Sequence, residues 1–127
     1  MHEDSHSYNA LRILSQSDNG YIGQCSCCDH YNFVFGNFLF IFTEEGLNGF
    51  HAVLYDKQHF HALEKPLHNN KTILLPSPIP NFMLSFSEVE MEEIKGLFQE
   101  TFLAMEIDRI FANGNKNTKQ INPDASN

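Results

Sequence analysis

Residues 19–43 read NGYIGQCSCCDHYNFVFGNFLFIFT and contain all three cysteines and five of the twelve phenylalanines of the chain. Two turn signals divide this stretch. Asn19-Gly20 favours a type I′ turn, because both residues tolerate positive φ, and it predicts a hairpin of residues 12–17 with residues 21–25. Gly36-Asn37 places glycine first, as a type II′ turn requires, and predicts a second hairpin. The chain is therefore expected to open as an antiparallel meander.

The second hairpin is apolar on both faces. Pairing across its turn predicts one face of four aromatic rings, Phe33, Phe35, Phe38 and Phe40, and an opposite face with Val34, Leu39 and Ile41. Strands of this kind are usually covered on both sides, either by helices of their own chain or by a second subunit. We therefore expect a homodimer that forms through the four phenylalanines.

The turn between the two hairpins reads Cys25-Ser26-Cys27-Cys28-Asp29-His30. A C-x-x-C turn between strands is half of a zinc knuckle, since Cys25 and Cys28 can converge on one ion. His30 is the nearest further ligand, and other donors could come from His51, His59-Phe60-His61 or the same turn of a second subunit. A tight turn with reduced thiols explains the same residues, and so does a redox site.

Helix signals follow the meander. Thr43 is a good N-cap for a helix of about twelve residues. Ser87 and Glu90 form a capping box that begins a helix of about 24 residues, which is expected to end at Asn113-Gly114. Residues 71–75 and 82–86 add two strands. The fold class is therefore α+β, with an antiparallel sheet of about six strands, a short helix and a long C-terminal helix packed on it.

The domain limits follow from composition. Residues 9–112 are expected to form a single domain, and the polar segments 1–8 and 113–127 are expected to be disordered tails. The net charge of −8 and the pI near 5.2 argue against a nucleic-acid partner. An odd number of cysteines at one locus argues for a reducing cytoplasm, and no apolar run approaches the length of a membrane span.

Enzyme signatures are lacking in the sequence. It contains no nucleophile elbow, phosphate-binding glycine loop, H-E-x-x-H or dinucleotide fingerprint. A metal-dependent hydrolase would need His59, His61 and Glu106 to converge, whereas a rim pairing of Glu106 with Arg109, Arg12 or a histidine explains the carboxylate more simply. We expect a small non-enzymatic binding or scaffold protein with a structural zinc; the alternative is a thiol enzyme or redox sensor that uses the cysteines.

Three fragments resemble a known family: GYIGQCSCC leading into FVFGN, then TEEGLNGF, then ILLPSPIPNFMLSFSEVEMEEIKGLFQETFLAMEID. The chain is similar, over residues 20–108, to short bacterial proteins, mostly of Bacteroidetes, that form a family of unknown function. The resemblance implies that the family's cysteine pair corresponds to Cys25 and Cys28. Cys27 is then an added thiol, and Asp29 stands where zinc knuckles usually carry glycine. It implies no activity.

Overall fold

The computed structural model of the chain describes residues 11–56, 61–62, 65 and 70–125, and side chains as far as residue 114. These residues form seven strands and two helices. They are β1 (Leu11–Gln16), β2 (Gly20–Cys25), β3 (Tyr31–Phe35), β4 (Phe38–Phe42), α1 (Glu44–Tyr55), β5 (His61–Ala62), β6 (Ile73–Pro76), β7 (Met83–Phe86) and α2 (Glu88–Ala125). The predicted tail 1–8 lies outside the described residues.

The predicted α+β class is confirmed. All paired strands are antiparallel, and one short and one long C-terminal helix accompany them. The strands divide into two sheets, with the orders β1-β2-β3-β4 and β5-β6-β7, where the sequence indicated one. The second sheet includes β5. This strand spans only two residues, which are too few to produce a periodic pattern in the sequence.

The two predicted hairpins are confirmed, but only one of the two turns is. Gly36 has φ +54° and links Phe35 to its cross-strand partner Phe38, as expected of a type II′ turn. The type I′ turn at Asn19-Gly20 is wrong, because neither residue is among the described residues with positive φ. The amide of Ser17 instead donates to the carbonyl of Gly20 at 2.8 Å, so that the turn is centred one residue earlier.

Gly20 is required by close packing. A Cβ built on this residue would lie 2.2 Å from the carbonyl oxygen of Val34 on the neighbouring strand. No side chain fits at that distance without movement of the β3 backbone. The glycine that suggested a turn therefore allows β2 and β3 to approach each other.

The four aromatic rings of the second hairpin face the interior. Register pairs Phe33 with Phe40, as predicted, and the Phe33 ring contacts the Phe98 ring of α2 edge-on at a centroid distance of 5.0 Å. Phe33 and Phe35 are 0% and 2% exposed. Phe33 and Phe35 are therefore core residues of the single chain, while Phe38 and Phe40 pack half-buried against that core. The homodimer stays a prediction. Helix α2 covers these rings because its apolar residues also project to this side of the sheet.

Both helices begin at the predicted residues. The Thr43 hydroxyl accepts the amide of Gly46 at 3.1 Å at the start of α1. The capping box is reciprocal, since Glu90 donates its amide to the Ser87 hydroxyl and accepts the Ser87 amide. Helix α2 continues through Asn113-Gly114, where the sequence indicated its end, to Ala125. No helix in the described part of the chain is long and apolar enough to cross a membrane.

Two polar contacts fix the four-stranded sheet against α2. The Ser15 and Thr101 hydroxyls share a buried hydrogen bond of 2.8 Å between β1 and the helix. The Glu93 carboxylate accepts from the Ser17 hydroxyl and from both the backbone and the side-chain amide of Asn19. The helix is therefore tied to the β1–β2 end of the sheet, and the β2–β3 turn lies at the opposite end of β2.

Candidate metal centre

The β2–β3 turn closes on itself through the backbone. The Cys25 amide donates to the carbonyl of His30 at 2.8 Å, and the Asp29 amide donates to the carbonyl of Cys25 at 3.3 Å. Residues 26–29 are thus left to form a four-residue loop between β2 and β3. A loop this short holds its side chains close together.

Asp29 takes the left-handed conformation that this loop requires. Its φ is +58°, in the region that glycine enters freely and other residues enter at a cost. Aspartate is among the residues that tolerate this conformation best. The place that zinc knuckles usually give to glycine is therefore occupied here by a residue that adopts the same backbone geometry.

The loop brings the three cysteine sulfurs together. The Sγ atoms of Cys25, Cys27 and Cys28 all lie within 4.8 Å of one another, and those of Cys25 and Cys27 are 3.2 Å apart. Zinc–sulfur bonds of about 2.3 Å in a tetrahedral site place sulfurs about 3.8 Å apart. The three thiols are therefore at separations from which they can close on one ion with small side-chain rotations.

Burial is graded across the three thiols. Cys25 is buried, Cys28 is half-buried and Cys27 is exposed. An ion held by the three sulfurs would rest on the end of β2 and face solvent on the Cys27 side. Its entry needs no opening of the core.

Mutual contacts raise the pKa values of two of the three thiols. The hydrogen bond with Cys25, together with desolvation and the charges of its cysteine neighbours, raises the pKa of Cys27 to about 11. The pKa of Cys28 is also raised, first by its hydrogen bond with Cys25 and then by desolvation, while a hydrogen bond from the His30 amide opposes the shift. Three sulfurs this close disfavour a thiolate unless a cation joins them.

Of the predicted ligands, the structure brings Cys25 and Cys28 together and adds Cys27. Among the described residues, the grouped metal-binding side chains are these three cysteines, so the ring of His30 lies outside the group although its backbone closes the loop. The sequence predicts Cys27 as an added thiol and as one candidate for a reactive thiol, and not as a metal ligand. The signal for its role is its position between Cys25 and Cys28, inside a loop of four residues that brings the three sulfurs together.

Of the other histidines that the sequence offers as donors, only His51 has a described side chain, and it is outside the sulfur group. His51 packs against the rings of Phe102 and Tyr55, with centroid distances of 4.6 Å and 5.3 Å, and burial lowers its pKa. His59 lies outside the described residues. His61 belongs to β5, and its side chain is not described.

Glu106 behaves as the rim carboxylate that the sequence suggested. It accepts a hydrogen bond of 2.6 Å from Arg109 on the surface of α2. Arg12 pairs instead with Asp108, at 2.7 Å. The carboxylate that a hydrolase would need is thus held in an exposed ion pair with Arg109.

The family to which the chain is similar has no described activity. A family model described as a family of unknown function (DUF6686) matches residues 8–113. No curated protein and no solved structure shows significant similarity to the chain. The sulfur cluster therefore has to be interpreted from its own chemistry.

Proposed function

Because the chain belongs to a family of unknown function (DUF6686), we propose from its geometry that it is a small non-enzymatic metal-binding protein whose ion is held by Cys25, Cys27 and Cys28. The observation that carries the proposal is the convergence of the three sulfurs within 4.8 Å in one loop. Soft thiolate donors select zinc, monovalent copper or iron–sulfur clusters. We propose zinc, because it binds as a single ion without an assembled cluster and is common in turns of this kind.

The positive charge of a bound zinc ion would stabilise the thiolate forms of the three cysteines. Raised pKa values of Cys27 and Cys28 mean that the thiols alone do not ionise at neutral pH. A divalent cation reverses this preference, since a coordinated thiol loses its proton. Binding should then release protons and should weaken as the pH falls. The hydrogen bond from the His30 amide to Cys28 already favours the thiolate form and would remain in the bound state.

A structural zinc takes four ligands, so one more donor is needed. We propose His30, because it belongs to the same loop and is half-buried beside the cysteines. Its ring would have to rotate toward the sulfurs. The same turn of a second subunit is the other source, and it would give one ion for two chains.

The test is a zinc titration of the full chain under reducing conditions, read by native mass spectrometry and by competition with a chromophoric chelator. We expect one zinc per chain. Cys27→Ser and Cys28→Ser should each weaken binding by more than the 10–100-fold typical of an outer-shell contact. Ser26→Ala, in the same loop, keeps all three sulfurs and is the matched control; it should bind zinc far more tightly than either cysteine variant. Equal affinity in all four proteins would refute the site.

The histidine is tested separately. His30→Ala should weaken zinc binding, whereas His51→Ala should not, because His51 packs among aromatic rings of α1 and α2. If His30→Ala binds normally, the fourth ligand comes from elsewhere and the three-cysteine site still stands. One zinc per two chains would then indicate an ion shared between two subunits, and one zinc per chain would indicate a solvent molecule as the fourth ligand.

A redox thiol is the second candidate, and the 3.2 Å separation of the Cys25 and Cys27 sulfurs favours it. The raised pKa values oppose it, because reactive thiols usually have lowered pKa values. Alkylation kinetics at neutral pH separate the two functions. A metal site should react slowly and be protected further by zinc, whereas a redox thiol should react selectively and fast.

A further inference from the structure

The sulfurs of the candidate metal centre are also close enough to react with one another. The Sγ atoms of Cys25 and Cys27 are 3.2 Å apart, against about 2.0 Å in a disulfide bond. Only Ser26 separates the two residues, so their Cα atoms lie at most about 7 Å apart, close to the ~4.4–6.8 Å that disulfides span. The loop also folds back on itself, since the Cys25 amide bonds to the His30 carbonyl. A disulfide between these two residues therefore fits within the loop and leaves β2 and β3 in place.

Burial gives the two thiols different access to a reagent. Cys27 is exposed, whereas Cys25 is buried, with an exposed fraction of 7%. A small oxidant in solution therefore meets the Cys27 sulfur first. The Cys25 sulfur is then reached from Cys27, within the loop. An accessible thiol next to a second thiol that can displace the reagent is a typical arrangement of redox-sensitive cysteines.

We propose that a disulfide between Cys25 and Cys27 and a bound zinc ion exclude each other, so that a low-molecular-mass disulfide such as oxidised glutathione releases the ion. The inference rests on the proposed zinc site and adds its regulation. The disulfide takes two of the three sulfur donors and leaves Cys28 and His30. Two donors are too few for a structural zinc site, which takes four ligands.

The exchange with the small disulfide takes two steps. The Cys27 sulfur first attacks one sulfur of the small disulfide, whose S–S bond breaks, and one small thiol leaves with the Cys27 proton. The Cys25 sulfur then attacks the Cys27 sulfur of this mixed disulfide, and the second small thiol leaves with the Cys25 proton. The chain has lost two electrons and two protons, and the oxidant has become two thiols. From the zinc-bound chain the ion leaves instead, and water supplies the two protons.

Mutual exclusion has a measurable size. Zinc binds the reduced chain and not the oxidised chain, so it favours reduction and raises the midpoint potential of the cysteine pair. A tenfold change in the equilibrium constant of a two-electron couple corresponds to about 30 mV, so zinc at 100 times its dissociation constant should raise the midpoint by about 59 mV. Exposed disulfides have more oxidising potentials than structural ones, and so reduced glutathione should restore the site.

Equilibration of the full chain in glutathione buffers of graded composition tests the proposal. The raised pKa of Cys27 slows the exchange, so samples are held until the oxidised fraction is constant and are then quenched with acid. Thiols are blocked with one alkylating reagent, the disulfides are reduced, and the new thiols receive a second reagent. In the metal-free chain the second reagent should mark Cys25 and Cys27, and the first should mark Cys28. The oxidised chain should bind zinc more than about 100-fold more weakly than the reduced chain, beyond the loss of an outer-shell contact.

Two variants separate the disulfide from the zinc site. Cys28→Ser keeps both sulfurs of the pair and should form the disulfide, but its midpoint potential should not change with zinc, because a metal ligand is missing. Cys27→Ser lacks the exposed thiol of the pair. It should form no disulfide within the chain at the potential where the natural chain is half oxidised.

A metal-free chain that forms no disulfide of its own, or that joins Cys25 to Cys28, overturns the proposal and leaves the zinc site standing. A Cys27→Ser variant that oxidises like the natural chain also overturns it. So does a midpoint potential that stays constant with zinc when titration shows that the reduced chain binds the ion. A reduced chain that binds no zinc refutes the zinc site and this regulation with it, and the labelling of the metal-free chain shows independently whether the disulfide forms.

Discussion

The two turns that flank β3 connect neighbouring strands of one sheet but are held in different ways. The Gly36-Asn37 turn follows a strand pair whose rings pack into the core, with Phe35 and Phe38 at a centroid distance of 6.4 Å. The loop from Cys25 to His30 closes through two backbone hydrogen bonds and gathers thiols in place of rings. Packing determines the first turn, and the second has the chemistry to be fixed by a ligand.

The largest effect should come from the core side of this comparison. The Phe33 ring contacts those of Phe98, Phe38 and Phe50 and is 0% exposed. Phe33→Ala should lower the free energy of unfolding by about 3–5 kcal/mol, measured by urea denaturation. Ile41→Ala is the matched control, since Ile41 lies on the opposite face of the same hairpin and is 62% exposed. Its effect should stay within about 0.5 kcal/mol. Similar losses in both variants would mean that the two faces are equally covered.

A smaller effect should appear at the cysteine loop, and only with metal. Zinc at 100 times its dissociation constant should raise the free energy of unfolding by about 2.7 kcal/mol. A chelator should remove this gain, and Cys28→Ser should lack it. Ile41→Ala should keep it, because the two sites share no contact. A zinc-induced gain that survives in Cys28→Ser would place the ion elsewhere.

The same comparison shows what the sequence can predict. Local rules were sufficient for the Gly36 turn, the Phe33–Phe40 register and the Ser87–Glu90 capping box, because each depends on residues close in the chain. They failed for Gly20, whose need for glycine comes from the Val34 carbonyl of a neighbouring strand. Local rules also could not show that α2 packs on the aromatic face of the hairpin, since that contact joins residues far apart in the chain.

The sequence likewise predicts only part of the metal site. The C-x-x-C spacing identified Cys25 and Cys28, because two thiols at this spacing in a turn can converge on one ion. Cys27 needed the three-dimensional loop, since its sulfur approaches Cys25 only when residues 26–29 take one particular path. No sequence rule fixes a fourth ligand, because that depends on side-chain rotation and on neighbouring chains.

The smallest expected effect compares the two turns directly, since each contains one residue with positive φ. Asp29 and Gly36 have φ values of +58° and +54°. Exchanging the residue types should therefore have opposite results. Asp29→Gly should stabilise the metal-free chain by about 0.5–1 kcal/mol, because relief of the left-handed conformation exceeds the entropy that glycine loses on folding. Gly36→Asp should destabilise it by a similar amount through φ alone, since a Cβ at Gly36 meets nothing within 4 Å.

Thermal and urea unfolding of the two variants, without metal and then with zinc, completes this comparison. Zinc should add the same increment to Gly36→Asp as to the natural chain, because that turn lies at the other end of β3. In Asp29→Gly the increment should also persist, since the three sulfurs remain and glycine keeps the loop path. A lower stability of metal-free Asp29→Gly would show instead that the Asp29 carboxylate supports the loop. A smaller zinc increment in that variant would identify this carboxylate as a ligand, and the cysteine turn would then hold its ion with four donors of its own.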